Sequence, residues 1–167
     1  MGEVDGFKPE RFDFSNSPAE ISQVDLSGKR LIQSTSAGTR GIVSVRNPQK
    51  LLACSFVVSK ATAKYLVQTT PDLISFVITG QSQGRDGDED RACAEYIEAL
   101  VLGQDPDPSR FTPRVLTSSV GKSFNSGKLG YLAQQDIALS LETNRFDFYL
   151  EIENVNGLLV MLPQKLA

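Results

Sequence analysis

Residues 73–102 read LISFVITGQSQGRDGDEDRACAEYIEALVL, and this stretch decides the fold class. Its first part, 73–79, is almost continuously apolar, which is typical of a strand that is covered on both faces. Its last part, 88–102, carries apolar residues at helical spacing and predicts a helix that ends at Gly103. A polar, glycine-containing loop joins the two. The stretch therefore predicts one strand–helix unit of a parallel α/β sheet.

The same alternation of strands and helices extends along the chain. Two more strands are predicted from short apolar runs, at 30–35 and 51–57. Further helices are predicted from spacing and break residues at 18–24, 41–45, 60–68, 113–124 and 132–141, with Ser17 and Ser59 as N-caps of the first and third. The ranges 146–153 and 158–162 flank an Asn-Gly turn and predict a hairpin. We expect one domain over 1–167, an α/β fold with three α/β/α layers, a mostly parallel sheet and a C-terminal β-hairpin.

Composition excludes several function classes. The chain has 167 residues, is 40% hydrophobic and carries a net charge of −3 without basic runs, so we expect no bulk attraction to nucleic acid or to a membrane surface. Histidine is absent, which excludes a Ser-His-Asp centre and a His-ligated zinc site within this sequence. Cys54 and Cys93 lie on apolar stretches and are expected to be buried free thiols. No apolar run reaches the roughly 20 residues of a membrane span, and a cytoplasmic location is the default expectation.

Two loops are expected to carry the ligand, because ligands of parallel sheets bind beyond the carboxyl ends of the strands. The first loop, 34–40, reads STSAGTR. Hydroxyls, a glycine, an arginine and the N–H groups of a helix start suit an anion such as a phosphate or carboxylate. The alternative, a capped turn with a surface arginine, stays open, because such turns are common.

The second loop, 79–90, ends in three consecutive carboxylates: Asp88, Glu89 and Asp90. Clustered carboxylates beside a glycine-rich loop suit Mg²⁺, which prefers oxygen ligands. Acidic residues in the first turn also stabilise the helix dipole without any metal, and for any single carboxylate this second interpretation is favoured. A third candidate segment combines Gly2-Glu3 with 12–18, where Asp13 lies between two phenylalanines.

These three segments, in this order, resemble the 2-phosphosulfolactate phosphatase family, known from coenzyme M biosynthesis. Its Gly-Glu dipeptide is Gly2-Glu3 here. Its Gly-Phe-Asp-x-Gly-Asn-Ser-Pro segment corresponds to 11–18, its Thr-x-Asn-Gly-Thr-Arg segment to 35–40, and its Glu-Asp before a helix to Glu89 and Asp90. The similarity extends over nearly the whole chain and includes the RFDF and GLLV segments near its end.

The resemblance implies a fold, an activity and a set of site residues. It implies an α/β fold and a Mg²⁺-dependent phosphatase that converts 2-phosphosulfolactate, or a similar small anionic phosphomonoester, to sulfolactate and phosphate. It implies catalytic roles for Glu89 and Asp90 and metal binding by Glu3 and Asp90. The substrate's phosphate or sulfonate is expected to contact a third set: Asn16, Ser17, Ser36, Gly38, Thr39 and Arg40.

Departures from the family pattern leave a second hypothesis open. Ala37 replaces an Asn of the pattern, and Arg11 and Ser15 replace glycines. Family members also begin with a βα unit that carries an Asp-Val-Leu-Arg-Ala-Thr-like motif, and we expect this sequence to start after that unit. The alternative function is therefore a non-catalytic or incomplete relative that binds a small anionic metabolite, and a homo-oligomer that completes the core is a further expectation.

Overall fold

The computed structural model describes residues 1–81, 84–125 and 133–166. Seven helices lie in this part of the chain: α1, Pro18–Ile21; α2, Gly38–Ser44; α3, Ser59–Thr69; α4, Asp88–Val101; α5, Thr112–Thr117; α6, Ser119–Asn125; and α7, Ala133–Ser140. Three strands lie there as well: β1, Leu52–Ala53; β2, Phe148–Val155; and β3, Leu158–Lys165. Short 3-10 turns cover Phe56–Val58 and Pro108–Arg110. The predicted mixture of helices and strands is confirmed.

The three strands form an antiparallel sheet in the order β1-β2-β3. β2 and β3 pair along their whole length, and Asn156 and Gly157 connect them with φ values of 54° and 84°. Both values are left-handed, as a two-residue Asn-Gly turn requires. The predicted C-terminal hairpin is therefore confirmed.

The mostly parallel sheet and its three layers are not supported, because the sheet that the described residues form is antiparallel. The range 73–79 is not a strand, and the prediction that both of its faces are covered is wrong: Leu73 is 80% and Val77 is 62% exposed, whereas Phe76 packs against the core. Its backbone makes no hydrogen bond to the backbone of another described residue. The apolar run has the side-chain pattern of a strand, but a strand also needs a neighbour for its N–H and C=O groups.

The other two predicted strands also differ from the prediction. In 30–35 only Ser34 pairs, through an isolated parallel bridge to Gly2, and Ile32 is 86% exposed. In 51–57 the strand is limited to Leu52–Ala53, because the chain turns into a 3-10 helix at Phe56.

The predicted helices are confirmed with three changes of detail. Ser59 lies inside α3 instead of capping it, and the cap is Asn144, whose Oδ1 accepts hydrogen bonds from Lys60 N at 3.0 Å and Ser59 Oγ at 2.8 Å. The single helix expected over 113–124 is two helices, since Ser118 between them has an extended backbone. Ser17 caps α1 as predicted, although α1 ends early, at Ile21.

The hydrophobic core lies between α3 and α4. Its buried residues are Phe56, Ala63, Ala92, Cys93, Tyr96 and Ile97. Four of them come from the apolar stripe of α4, as its spacing predicts. Both cysteines are free, as expected. Cys93 is buried as predicted, whereas Cys54 is exposed, contrary to the prediction. Among the described residues no helix has the length and apolar character needed to cross a membrane.

Candidate functional site

The N-terminal residues hold the first candidate loop, 34–40, in place. Glu3 N donates to Ser34 O at 3.0 Å, and Ser34 N donates to Met1 O at 3.2 Å. A Cβ atom on Gly2 would lie 1.9 Å from Ser34 O, so glycine is required for this close approach. The Gly2-Glu3 dipeptide therefore positions the loop through backbone contacts.

The side chain of Glu3 binds Ser36. Its Oε1 accepts a hydrogen bond from Ser36 N at 2.6 Å, and its Oε2 accepts from Ser36 Oγ at 3.0 Å and Gly6 N at 2.8 Å. Burial opposes ionisation of this carboxyl, but the hydrogen bonds from Gly6 and Ser36 and the nearby charge of Arg85 outweigh burial and lower the pKa of Glu3. The structure thus brings two predicted site residues together, with both carboxylate oxygens already accepting hydrogen bonds.

Thr35 and Thr39 close the turn that begins α2. Thr35 N donates to Thr39 Oγ1 at 2.8 Å, and Thr39 N donates to Thr35 Oγ1 at 3.1 Å. This reciprocal arrangement satisfies N–H groups that a helix start leaves without partners. Arg40 is exposed and its side chain forms no ion pair with another described residue, while a Cβ on Gly38 would make only an ordinary contact, 3.6 Å from Thr35 Oγ1. Both residues are thus exposed without a packing role.

The predicted substrate residues Asn16 and Ser17 lie in different surroundings. Asn16 is exposed, and its Oδ1 accepts from Gln33 Nε2 at 3.1 Å, so it lies beside the chain that enters the loop. Ser17 Oγ instead donates to Asp136 Oδ1 at 2.6 Å and connects α1 to α7. The structure therefore brings Asn16 near the loop and engages Ser17 in helix packing.

The second candidate loop closes on Asp90. Thr79 Oγ1 donates to Asp90 Oδ2 at 3.0 Å, and Gly80 N donates to the same oxygen at 2.8 Å. Gly80 is buried, and a Cβ there would lie 2.6 Å from Glu89 Oε1. Asp90 thus ties the start of the loop to the first turn of α4.

The two loops meet at Gly41 and Thr79. A Cβ on Gly41 would lie 2.3 Å from Thr79 Cγ2, so α2 approaches Thr79 more closely than it could with any residue other than glycine at position 41. Thr79 in turn binds Asp90, and the charge of Arg85 acts on Glu3 across the same junction. The predicted neighbourhood of 34–40 and 79–90 is therefore observed, although no parallel sheet creates it.

The carboxylates of the second loop differ in their partners. Arg114 binds Asp88, through Nε to Oδ2 at 3.1 Å and through Nη2 to Oδ1, and lowers the pKa of that carboxyl, chiefly by this hydrogen bonding. Asp86 Oδ1 accepts from Ser119 Oγ at 3.0 Å. Asp88 and Asp86 thus fasten the loop to α5 and α6.

Glu89 is different, because its Oε2 is buried without a hydrogen-bond partner in the described part of the chain. A buried carboxylate oxygen normally has a partner, and a free one marks a position for a cation, a proton or a donor from a ligand. Of the three consecutive carboxylates, Glu89 is therefore the one whose position structural contacts do not explain.

The described residues contain no site in which three or more protein side chains could bind a metal ion. Among them, no three His, Cys, Asp or Glu side chains cluster at metal-binding distance. Mg²⁺ usually takes only one or two carboxylates and keeps several waters, so Glu89 and Asp90 suffice in number. The roles predicted for the site residues stay predictions.

A cavity of about 580 Å³ lies elsewhere, between the segment that follows α2 and the β-hairpin. None of its lining residues belongs to the predicted site, and two of them, Lys50 and Glu151, form an ion pair with each other. The cavity therefore contributes nothing to the candidate site.

Comparison with known proteins decides the family. A family model described as 2-phosphosulpholactate phosphatase matches residues 1–154. The chain belongs to the 2-phosphosulpholactate phosphatase family. The family expected from the sequence motifs is thus confirmed.

Individual members of the 2-phosphosulpholactate phosphatase family show the same relation. A protein of Bacillus subtilis (strain 168) named probable 2-phosphosulfolactate phosphatase is 27% identical over 153 residues, which is 91% of this chain and 66% of that protein. A protein of the same name from Thermoplasma acidophilum is 25% identical over 167 residues, which is 100% of this chain and 70% of that protein. Another from Prochlorococcus marinus (strain MIT 9313) is 32% identical over 120 residues, which is 72% of this chain and 49% of that protein. The chain thus spans 49% to 70% of the length of these relatives.

Three contacts of this family member escaped the sequence analysis. They are the approach of Gly41 to Thr79, the pairing of Arg114 with Asp88, and the binding of Ser119 by Asp86. Gly41 directly follows the predicted anion loop, and a glycine inside a predicted helix was a signal of close packing. The other two contacts join segments far apart in sequence, and no local pattern indicates them.

Proposed function

We propose that this chain is a phosphatase that hydrolyses 2-phosphosulfolactate, or a similar small anionic phosphomonoester, to sulfolactate and phosphate with Mg²⁺ as cofactor. Family membership and the printed names of the relatives support the substrate class. The observation that carries the proposal is the meeting of the loops at Gly41 and Thr79, which places the exposed Arg40 and the unpartnered oxygen of Glu89 on neighbouring segments.

The phosphate or sulfonate is proposed to bind Arg40 and the N–H groups at the start of α2 other than Thr39 N, which already donates to Thr35 Oγ1. A guanidinium makes two parallel hydrogen bonds to such a group. Gly38 supports this role, because packing alone does not require a glycine there and an open backbone lets the anion approach. The hydroxyls of Ser36 and Thr39 already bind the protein, so their role is to hold the loop in shape.

Glu89 is proposed to act as the general base. Its free carboxylate oxygen accepts a proton from a water molecule as the water oxygen bonds to phosphorus. The ester P–O bond breaks, the leaving alkoxide takes a proton from solvent, and the products are the alcohol and inorganic phosphate. Phosphoryl transfer depends mainly on positioning and charge neutralisation, and a histidine is not needed for either.

Asp90 is proposed to hold Mg²⁺, because both of its described hydrogen bonds go to Oδ2, and this leaves Oε2 of Glu89 available to accept the proton. The ion supplies positive charge near the phosphate. Glu3, also predicted as a ligand, binds Ser36 and Gly6 with both oxygens and fits a structural role better. A cytoplasmic location and a homo-oligomeric state are proposed as well.

Release of inorganic phosphate from 2-phosphosulfolactate tests the proposal. We expect release with excess Mg²⁺ and none with a chelator. Arg40→Ala is expected to raise KM at least tenfold, since a charge-assisted hydrogen bond contributes about 1.5–3 kcal/mol. Arg46→Ala removes a comparably exposed arginine beyond α2 and is the matched control. Absence of release from the wild-type chain, or equal effects of the two substitutions, would reject the proposal.

A second candidate is a non-catalytic protein that binds a small anionic metabolite. It is favoured by the internal hydrogen bonds of Glu3 and Asp90, which leave few carboxylate oxygens for a metal. It predicts that phosphate or a sulfonate raises the Tm without any turnover, and that Arg40→Ala abolishes this increase. Turnover with Mg²⁺ decides against it.

A further inference from the structure

The guanidinium of Arg114 connects two helices. Arg114 lies on α5 and binds Asp88 with two nitrogens, while its third nitrogen, Nη1, donates to Glu95 Oε2. Asp88 and Glu95 are seven residues apart on α4, which is nearly two full turns, so both point to the same side of the helix. The side chain of Arg114 is 29% exposed and those of Asp88 and Glu95 are 34% and 45% exposed. One partly buried side chain thus joins α5 to two positions on the same side of α4.

The first of these contacts lies at the candidate site. Asp88 is the first residue of α4 and directly precedes Glu89, whose Oε2 is buried without a described partner. Neighbouring helical residues differ by about 100° around the axis, so Glu89 follows any rotation of Asp88. At an outer helix radius of about 5–6 Å, a rotation of about 10° moves a carboxylate by about 1 Å. Displacements of that size at a reacting group cost up to about a hundredfold in rate.

The buried residues of α4 fix the body of the helix in the core, and Arg114 acts on its first turn through Asp88. Among the described residues, Asp90 is bound by Thr79 and by Gly80 from the preceding segment, and Asp86 binds Ser119 from outside the helix. Gly87, which precedes α4, has a φ of 65° and provides no side chain to cap the helix. Within the described ranges, Asp88 is therefore the first-turn side chain of α4 that is held by a two-pronged charged contact.

We propose that Arg114 is a positioning residue, which sets the orientation of Glu89 by fixing Asp88. The proposal rests on the function proposed above. Arg114 does not touch the substrate, and its role requires the planar fork of a guanidinium. A lysine has the same charge but presents a single point of contact and cannot reproduce two parallel hydrogen bonds to Asp88.

The test separates kcat from KM. We expect Arg114→Lys to lower kcat for phosphate release at least about tenfold, with KM within about twofold, because the anion loop is untouched. Arg110→Lys, on the preceding 3-10 turn, is the matched control and is expected to leave both constants unchanged. Melting curves of all variants establish that each is folded at the assay temperature.

A double-mutant cycle identifies the path of the effect. Asp88→Asn is expected to lower kcat as Arg114→Lys does, and the double variant is expected to lose no more than either single one, because all three break the same contact. Glu95→Gln removes the charge of the other partner and is expected to retain kcat within about twofold. If Arg114→Lys retains kcat, or if Glu95→Gln reproduces its loss while Asp88→Asn does not, the positioning role is wrong and the proposed function stands. If the wild-type chain releases no phosphate, the proposed function and the positioning role both fail.

Discussion

Gly41→Ala tests whether the two candidate loops pack against each other. The new Cβ would lie 2.3 Å from Thr79 Cγ2 and 3.3 Å from Thr79 Cβ, whereas carbon atoms pack best at about 3.5–4.0 Å. Thr79 cannot easily rotate away, because it is β-branched and its Oγ1 binds Asp90. The substitution therefore forces α2 away from the second loop.

The expected cost follows from two opposing effects. Overpacking of a methyl group costs about 1–3 kcal/mol. Replacing glycine by alanine inside a helix contributes up to about 1 kcal/mol in the other direction. We expect a net loss of about 1–2 kcal/mol in the free energy of unfolding, which corresponds to a fall in Tm of about 2–4 °C per kcal/mol for a chain of this size.

Two further variants make the assay specific. Thr79→Ser removes Cγ2 but keeps the hydroxyl for Asp90, so Gly41→Ala with Thr79→Ser is expected to regain part of the lost stability. Gly38→Ala places a Cβ in the same helix with only an ordinary contact and is expected to leave the Tm unchanged or slightly higher. Urea and thermal unfolding measure the stability of the wild type, Gly41→Ala, Gly41→Ala with Thr79→Ser, and Gly38→Ala. Equal stability of Gly41→Ala and Gly38→Ala, or no relief from Thr79→Ser, would refute the contact between the loops.

Two other substitutions test the scaffold of the site. Glu3→Gln is expected to cost about 1–3 kcal/mol, because Ser36 N, Ser36 Oγ and Gly6 N no longer share an ionised acceptor. Folding lowers the pKa of Glu3 below its ordinary value of 4.5, so the stability that Glu3 contributes is present above pH 4.5 and is lost as the pH falls through the lowered pKa of the folded state. We therefore expect the stability of Glu3→Gln to depend less on pH in this acidic range than that of the wild type. The same fall in stability at acidic pH for both proteins would contradict this. Asn144→Ala removes the cap of α3 and the donor to Tyr96 OH and is expected to cost about 2 kcal/mol in urea unfolding, with Asn144→Asp losing less because it keeps the acceptor; equal losses would argue against capping.

Local patterns account for the parts of the fold that the sequence predicted. The apolar stripe of α4 and the Asn-Gly turn of the hairpin involve residues close together in the chain, and both are found as predicted. The range 73–79 has an equally clear pattern, but a strand depends on a neighbour that can come from anywhere in a chain. Its pattern predicted a parallel strand that is covered on both faces, and the structure contradicts both the strand and the coverage.

The candidate site was predictable in its two loops and not in its contacts. Ser36 and Glu89 stand out by residue type and position, yet nothing local shows that Glu3 binds Ser36 or that Glu89 keeps a free oxygen. Asp88 differs from Glu89 because Arg114, which lies 26 residues after Asp88 in the sequence, binds its carboxylate. Long-range partners, which only the folded chain reveals, decide which of several similar carboxylates is available for chemistry.

The turnover number of Glu89→Gln, relative to that of Glu98→Gln, tests the central claim most directly. Both substitutions neutralise a glutamate of α4, and Glu98 is exposed and lies on the opposite side of the helix from Glu89, as helix periodicity gives for this spacing. With saturating Mg²⁺ and 2-phosphosulfolactate, the account predicts that Glu89→Gln lowers kcat at least about a hundredfold, as loss of a general base does, while Glu98→Gln retains wild-type turnover. Equal turnover of the two variants would show that the unpartnered carboxylate of Glu89 takes no part in catalysis.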